Sequence, residues 1–257
     1  MPRFRVLAAY AISVGVLLVM AALSPALPAS PWFTRAEAYP KQSASDAEGS
    51  DEEWLLKHQD YVAQATVLVA PTSRAGFVAG KPDQVVTAAH CIAVGAKRVK
   101  IRTDGKRYSA DVDRLDRDTD LALLRLDHPL AVLPLVLSAE LPKPGEHVLF
   151  VGRPDRSENA RIATVQKLDR CPSLPKVPKA LFTDLVAKPG DSGAPLVDGR
   201  LHVVGLVHGG ARCHIAAPVA PLARQLEEER PKQDLPVEAN CNANRDDGPP
   251  RRCTHSG

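Results

Sequence analysis

Proline recurs through this chain at short intervals, 23 times in 257 residues. Its ring removes a backbone N–H and clashes with the preceding helical turn, so an interior proline ends or kinks a helix. A chain punctuated this way is poorly suited to long helices, and many short strands joined by turns are the expected alternative. Apolar residues make up 44% of the sequence, enough to pack a core. Pieces rich in strand-forming residues fall at 62–69, 84–88, 97–102, 107–115, 120–126, 147–152, 160–168, 181–186, 195–198 and 201–208. Strands this short and this frequent predict a barrel or a sandwich. Pro221 then opens a predicted helix through Leu222, Ala223, Leu226 and Glu229, with proline at the tolerated first position.

The flanks differ from this middle. Arg3 and Arg5 precede a run, 6–34, that lacks Asp, Glu, Lys and Arg. A basic start followed by such a run reads as an export signal within 1–38, or as an uncleaved anchor, since it is long enough to span a bilayer. Ser24 with Ala26, and Ala36 with Ala38, supply small-residue pairs for cleavage. Either way the rest of the chain is expected outside the cytoplasm. Residues 39–53 are polar and acidic and read as a linker. Residues 231–257 form a Pro-rich charged tail carrying Cys241 and Cys253. The net charge is only +3, and no basic stretch is interleaved with aromatics, which argues against a nucleic-acid partner.

Three local motifs carry chemistry. In 85–91, VVTAAHC, an apolar strand runs into His90 between small residues, where a ring at a cleft edge has room for a nucleophile and a carboxylate. In 118–126, DTDLALLRL, Asp120 abuts a buried strand and could orient a histidine through its Nδ1–H. Asp116 and Asp118 lie close by, and Asp120 is preferred for its position directly against the strand. In 189–196, PGDSGAPL, Ser192 sits on a tight glycine-flanked turn. Gly190 lets the backbone approach a reacting carbonyl, and the N–H groups of Gly190 and Ser192 could receive an oxyanion. Each motif alone has an ordinary structural reading as a buried histidine, a turn aspartate or a Gly/Ser turn.

Together, in the order His, Asp, Ser, the motifs resemble the chymotrypsin/trypsin superfamily of serine proteases, in its bacterial type. The family's TAAHC, DxALLxL-type and GDSGxP segments stand here at 87–91, 120–126 and 190–195. The likeness extends to Gly76, Phe77 and Val78 and to 203–210, the strand that lines the family's substrate cleft, and spans roughly 60–228. It implies an all-β fold of two six-stranded antiparallel barrels with a C-terminal helix, occupying 54–230. It implies a serine endopeptidase in which His90 is general base and acid, Asp120 its orienter and Ser192 the nucleophile. It implies protein or peptide substrates and neither metal nor organic cofactor; the export segment adds the expectation of secretion, and a monomer is expected. A catalytically silent binding module on the same fold is the competing expectation.

Departures from the family pattern add further expectations. Cys91 has no cysteine before it and is read as a small buried hydrophobe. The other four cysteines allow three pairings, of which Cys171–Cys213 and Cys241–Cys253 are favoured. Asp191 needs a cation if it is buried, and Arg153 is the expected partner. By resemblance, Val186 stands where side-chain preference is set. With Ala187, Gly209, Gly210 and Ala216 or Ala217 it suggests a neutral pocket for an apolar residue. His208 and His214 complicate this, since a cationic histidine near the pocket would favour Glu. His208 is counted among the substrate-binding residues, with contact to Asp120 as its expected role.

Overall fold

The computed structural model describes residues 51–156, 159–209 and 214–229. Thirteen strands and three helices occupy these residues. Strands β1 (Thr66–Ala70), β2 (Arg74–Val78), β3 (Gln84–Ala88), β4 (Arg98–Thr103), β5 (Lys106–Asp116) and β6 (Leu121–Leu126) close a barrel in the order β1-β2-β3-β6-β5-β4. A second ring forms from β8 (His147–Val151), β9 (Ala160–Asp169), β10 (Ala180–Thr183), β11 (Pro195–Val197), β12 (His202–Val207) and β13 (Ile215–Pro218). Its order is β8-β9-β10-β13-β12-β11, with β11 returning to β8. Pairing within both rings is antiparallel. The short β7 (Val136–Leu137) adds to β12 in parallel. This is the two-barrel, all-β architecture that the resemblance implies.

Side-chain alternation explains the rings. In β4, Val99 and Ile101 point inward while Arg98, Lys100 and Arg102 face solvent. β3 runs between β2 and β6 and is buried along its whole length, its apolar Val85, Val86 and Ala88 accompanied by buried Gln84 and by Thr87, whose hydroxyl is hydrogen-bonded. Phe77, Ile101 and Leu123 fill the first barrel; Phe150, Leu181 and Leu196 fill the second.

Several boundaries differ from the sequence reading. Residues 62–65 are helical: α1 (Asp51–Lys57) and α2 (Gln59–Ala65) precede β1, and Thr66 Oγ1 donates to Val62 O at 3.0 Å. Val62 and Ala65 lie three apart on one helical face and both are buried, which outweighs the strand preference of the segment. Helix α1 begins inside the expected linker, with Asp51, Glu52 and Glu53 in its first turn, where negative charge suits the helix dipole. Trp54 and Leu55 anchor it, and Trp54 Nε1 donates to Gly199 O at 2.9 Å. β10 ends at Thr183, three residues short of its expected end. β13, sequence IAAP, has little strand propensity of its own and is held by β10 and β12. Helix α3 (Ala220–Glu228) has Pro221 in its first turn as expected. Residues 1–50 and 230–257, with the export segment and the tail, lie outside the described residues.

The barrels meet where the three motifs converge. Ala75 N donates to Gly190 O at 3.1 Å, tying β2 to the turn before Ser192. Thr87 Oγ1 donates to Ala75 O at 2.7 Å.

Candidate active site

Register brings His90 to Asp120. In the β3–β6 ladder Ala88 lies opposite Leu121, so the next residues outward, Ala89 and Asp120, meet at the barrel end. Ala89 N donates to Asp120 O at 3.0 Å. The chain then turns through a short 3-10 segment, Ala89–Cys91, and His90 N donates to Asp120 Oδ1 at 2.9 Å. His90 Nδ1 lies 2.9 Å from Asp120 Oδ2 and 3.1 Å from Oδ1. Asp120 holds a left-handed φ of 60°, a conformation aspartate tolerates better than most residues and one that aims its carboxylate inward. The neighbouring acids have other work. Asp116 Oδ1 accepts from the N–H groups of Asp118 and Thr119 and so builds the turn, while Asp118 pairs with Lys176 at the surface.

A second histidine holds the same carboxylate. His208, just past β12, bonds through Nδ1 to Asp120 Oδ2. Its ring stands edge-on to His90, with centroids 5.3 Å apart. Burial of Asp120 opposes its ionisation, but the bonds from His208 and His90 outweigh burial and bring the carboxyl down to about 2. The potential metal-ligating atoms of His90, Asp120 and His208 lie within 4.8 Å of one another, and the hydrogen bonds join both histidines to the one carboxylate.

Ser192 sits in the second barrel on a loop fixed from beneath. Asp191 is buried; its Oδ2 accepts from Lys188 N at 2.8 Å and its Oδ1 from Arg156 Nη1 at 3.3 Å. Arg156 also donates through Nη2 to Pro189 O at 2.7 Å. The expected partner, Arg153, instead forks onto Asp155 at 2.9 and 2.6 Å and lies across Gly190. At Gly190, φ is +95°, and a Cβ there would stand 2.8 Å from Arg153 Nη1. The backbone of the turn therefore favours glycine, and a side chain there would have to displace Arg153. Among the described residues, the N–H groups of Gly190 and Ser192 donate no hydrogen bond. They remain available to an oxyanion.

Arg74, which opens β2, was not singled out by the sequence reading. Its Nη1 donates to Ser192 Oγ at 3.0 Å and stands 3.5 Å from His90 Nε2. Ser192 Oγ also lies 3.5 Å from His208 O. One guanidinium nitrogen thus contacts both the histidine and the serine, and no direct hydrogen bond joins those two.

Beside Ser192 opens a cavity of about 400 Å³ whose lining includes Arg74, Thr183, Ala187, Lys188, Gly209 and His214. Ala216 also lines it; Ala217 is buried elsewhere. Val186 does not line it. Once the chain leaves β10 at Thr183, Leu185 turns inward, Val186 outward at 62% exposed, and Ala187 inward again. His208 faces Asp120 and is not part of the lining. Gly210 and Cys213 lie outside the described residues.

Cys91 is buried against Ser192 O. Burial pushes its thiol up to about 12, the smaller effects of Arg74 and Thr87 notwithstanding. It is therefore a packing residue at neutral pH. Cys171 is also buried, and Cys213, Cys241 and Cys253, the other members of the expected pairs, lie outside the described residues.

Comparison with known proteins bears on this site. A family model described as a trypsin-like peptidase domain matches residues 74–206. Serine protease HTRA1B of Danio rerio is 32% identical over 175 residues, covering 64% of this chain and 36% of the relative. Serine protease Rv3671c of Mycobacterium tuberculosis (strain ATCC 25618 / H37Rv) is 34% identical over 145 residues, covering 53% of this chain and 36% of that one. The chain spans about a third of the length of these curated relatives. The crystal structure of Rv3671c protease in an inactive form aligns with a TM-score of 0.56 at 25% identity, over 74% of this chain and 98% of that one. That of Deg5 aligns at 0.55 and 27% identity, over 68% and 93%.

Proposed function

The chain belongs to the trypsin-like peptidase family, and from that premise we propose that it is an exported serine endopeptidase working through His90, Asp120 and Ser192. The carrying observation is the double hold on Asp120. The carboxylate accepts from the backbone N–H and Nδ1 of His90 at once, which fixes the ring and leaves Nε2 free of the carboxylate, 3.5 Å from the Arg74 Nη1 that also bonds Ser192 Oγ.

Ser192 Oγ attacks the scissile carbonyl and loses its proton to His90 Nε2. The carbonyl oxygen becomes an oxyanion, received by the N–H groups of Gly190 and Ser192. The imidazolium, stabilised by Asp120, gives its proton to the leaving amine as the C–N bond breaks. An acyl-ester on Ser192 remains. Water, losing a proton to Nε2, attacks that ester, and the free acid leaves with Ser192 restored. His208 acts on Asp120, not on substrate.

The same reading takes 1–38 as the export signal, with a retained anchor as its variant and the catalytic domain outside the cytoplasm in both. It takes the enzyme as a monomer acting on protein or peptide, with Cys171–Cys213 and Cys241–Cys253 as its disulfides. One observation favours a catalytically silent binding module instead: Arg74, not His90, bonds Ser192 Oγ.

Labelling of the full chain by a fluorophosphonate probe, with Ser192→Ala as control, tests the proposal. Labelling that vanishes in the control supports an activated serine. Folded protein that never labels and cleaves no peptide sinks it in favour of the binding module.

A further inference from the structure

The guanidinium between Ser192 and His90 belongs to a residue without a counter-ion. Among the described residues, no carboxylate forms an ion pair with Arg74; its Nη1 meets only a hydroxyl and an imidazole nitrogen. The two buried acids nearby are committed, Asp120 to two histidines and Asp191 to Arg156. A half-buried guanidinium whose side-chain contacts are a hydroxyl and an imidazole nitrogen, with no carboxylate, forgoes most of the attraction it could have. The cavity it lines adds Lys188 and His214 at its rim and no Asp or Glu among its described lining. Leu196, Val207 and Ala216 give that cavity an apolar wall. The cations Arg74 and Lys188 above an apolar wall fit a short aliphatic stem ending in a carboxylate.

Resting on the endopeptidase reading, we propose that Arg74 is a specificity-determining residue that recognises a carboxylate side chain, Asp or Glu, on a substrate residue flanking the scissile bond. A guanidinium–carboxylate pair is charge-assisted and bidentate, whereas the bond to Ser192 Oγ is a single bond to a neutral acceptor. An acidic substrate therefore draws Arg74 off Ser192. The hydroxyl is then free to give its proton to His90 Nε2. Without a carboxylate the guanidinium stays on the nucleophile and turnover is slow. Selection and release are thus one event, and the uncharged pocket expected from Val186 is replaced by a cationic one.

Two measurements on the full chain test this. In the first, kcat/KM is compared for peptides carrying Asp or Glu on either side of the cleaved bond and for their Asn or Gln isosteres. A charge-assisted bond predicts about 10- to 100-fold in favour of the acids. Arg74→Gln should reduce that ratio to about 3-fold or less and speed fluorophosphonate labelling, because Ser192 is no longer covered. Arg74→Lys should keep part of the preference. In the second, peptide binding to Ser192→Ala is followed by anisotropy, which needs no turnover. Acidic peptides should bind more tightly than their isosteres, and Arg74→Gln in that background should erase the difference. An acid preference that survives Arg74→Gln overturns the proposal. So do acidic peptides that bind Ser192→Ala no better than their isosteres, whatever the labelling. Absence of labelling in both wild type and Arg74→Gln defeats the endopeptidase reading itself, while the binding assay still decides whether Arg74 reads a carboxylate.

Discussion

Arg156 Nη1 lies 3.3 Å from Asp191 Oδ1, and the same guanidinium reaches Pro189 O at 2.7 Å, so one side chain pins both ends of the turn that presents Ser192. Asp191 is 2% exposed, and its carboxylate oxygens are met by this partner and by the Lys188 N–H. Arg156→Ala is expected to destabilise the fold by about 1–3 kcal/mol, below the full value for a buried pair because Arg156 itself is a third exposed. It should also slow fluorophosphonate labelling. Arg153→Ala should cost under about 1 kcal/mol, since its partner Asp155 is a surface acid. Urea midpoints and labelling rates of the two variants check this; equal effects would mean that Arg156 is not the clamp.

Asp120 makes stability fall in acid over a defined window. Its carboxyl is held at about 2 in the fold against an ordinary 3.8, so the folded state favours the ionised form. The resulting stabilisation, about 2 kcal/mol, is complete above pH 4 and is lost as pH falls through 2. Urea midpoints from pH 6 to 2 should drop more steeply in wild type than in Asp120→Asn below pH 4. His208→Ala removes one of the bonds that depress the carboxyl, so its loss should still begin near pH 4 but should be smaller and end at a higher pH. Parallel curves for all three proteins would contradict this account.

Gly193 cannot carry a side chain. Its φ is +87°, and a Cβ would strike the Ala75 carbonyl oxygen and stand 2.5 Å from Thr87 Oγ1. Both neighbours belong to the first barrel, so Gly193→Ala pushes the barrels apart and should cost about 3 kcal/mol or more. Gly199→Ala is the control: nothing lies within 4 Å of its added Cβ, and a change within about 0.5 kcal/mol is expected. Thermal melts of the pair distinguish steric exclusion from general glycine sensitivity.

The Cys91 thiol should resist alkylation in the folded protein. Burial lifts it from an ordinary 9.0 to about 12, leaving about one thiolate in ten thousand at pH 8. Iodoacetamide followed by peptide mass spectrometry should find it unmodified until denaturant is added. The folded state disfavours the thiolate. This contribution to stability is therefore full below pH 9 and is lost as pH rises towards 12. Prompt native alkylation, or Cys91 in a disulfide, would overturn the assignment.

Much of this protein is written in local pattern. The strands β3, β6, β8 and β12 follow runs of apolar residues, and the motifs at His90, Asp120 and Ser192 mark the candidate reacting groups because each is a short local pattern. Even the preference for Asp120 over Asp116 and Asp118 rested on a local fact, its contact with the start of a strand; in the fold Asp120 is the one of the three that bonds His90, while Asp116 builds the turn and Asp118 pairs with Lys176. What the sequence could not determine is decided between residues far apart in it. Arg74 and Ser192 are separated by 118 positions, His208 and Asp120 by 88, and Arg156 and Asp191 by 35. No periodicity relates such pairs; they meet because two closed barrels bring their ends together. Val186 turns outward for a similar reason, because strand alternation counts from where β10 ends, and that end is fixed by its partners β9 and β13. The sequence by itself determined the family and the candidate triad; the tertiary structure alone decided which cations hold the Ser192 loop and cover Ser192, because a side chain's electrostatic partner is set by distance in space.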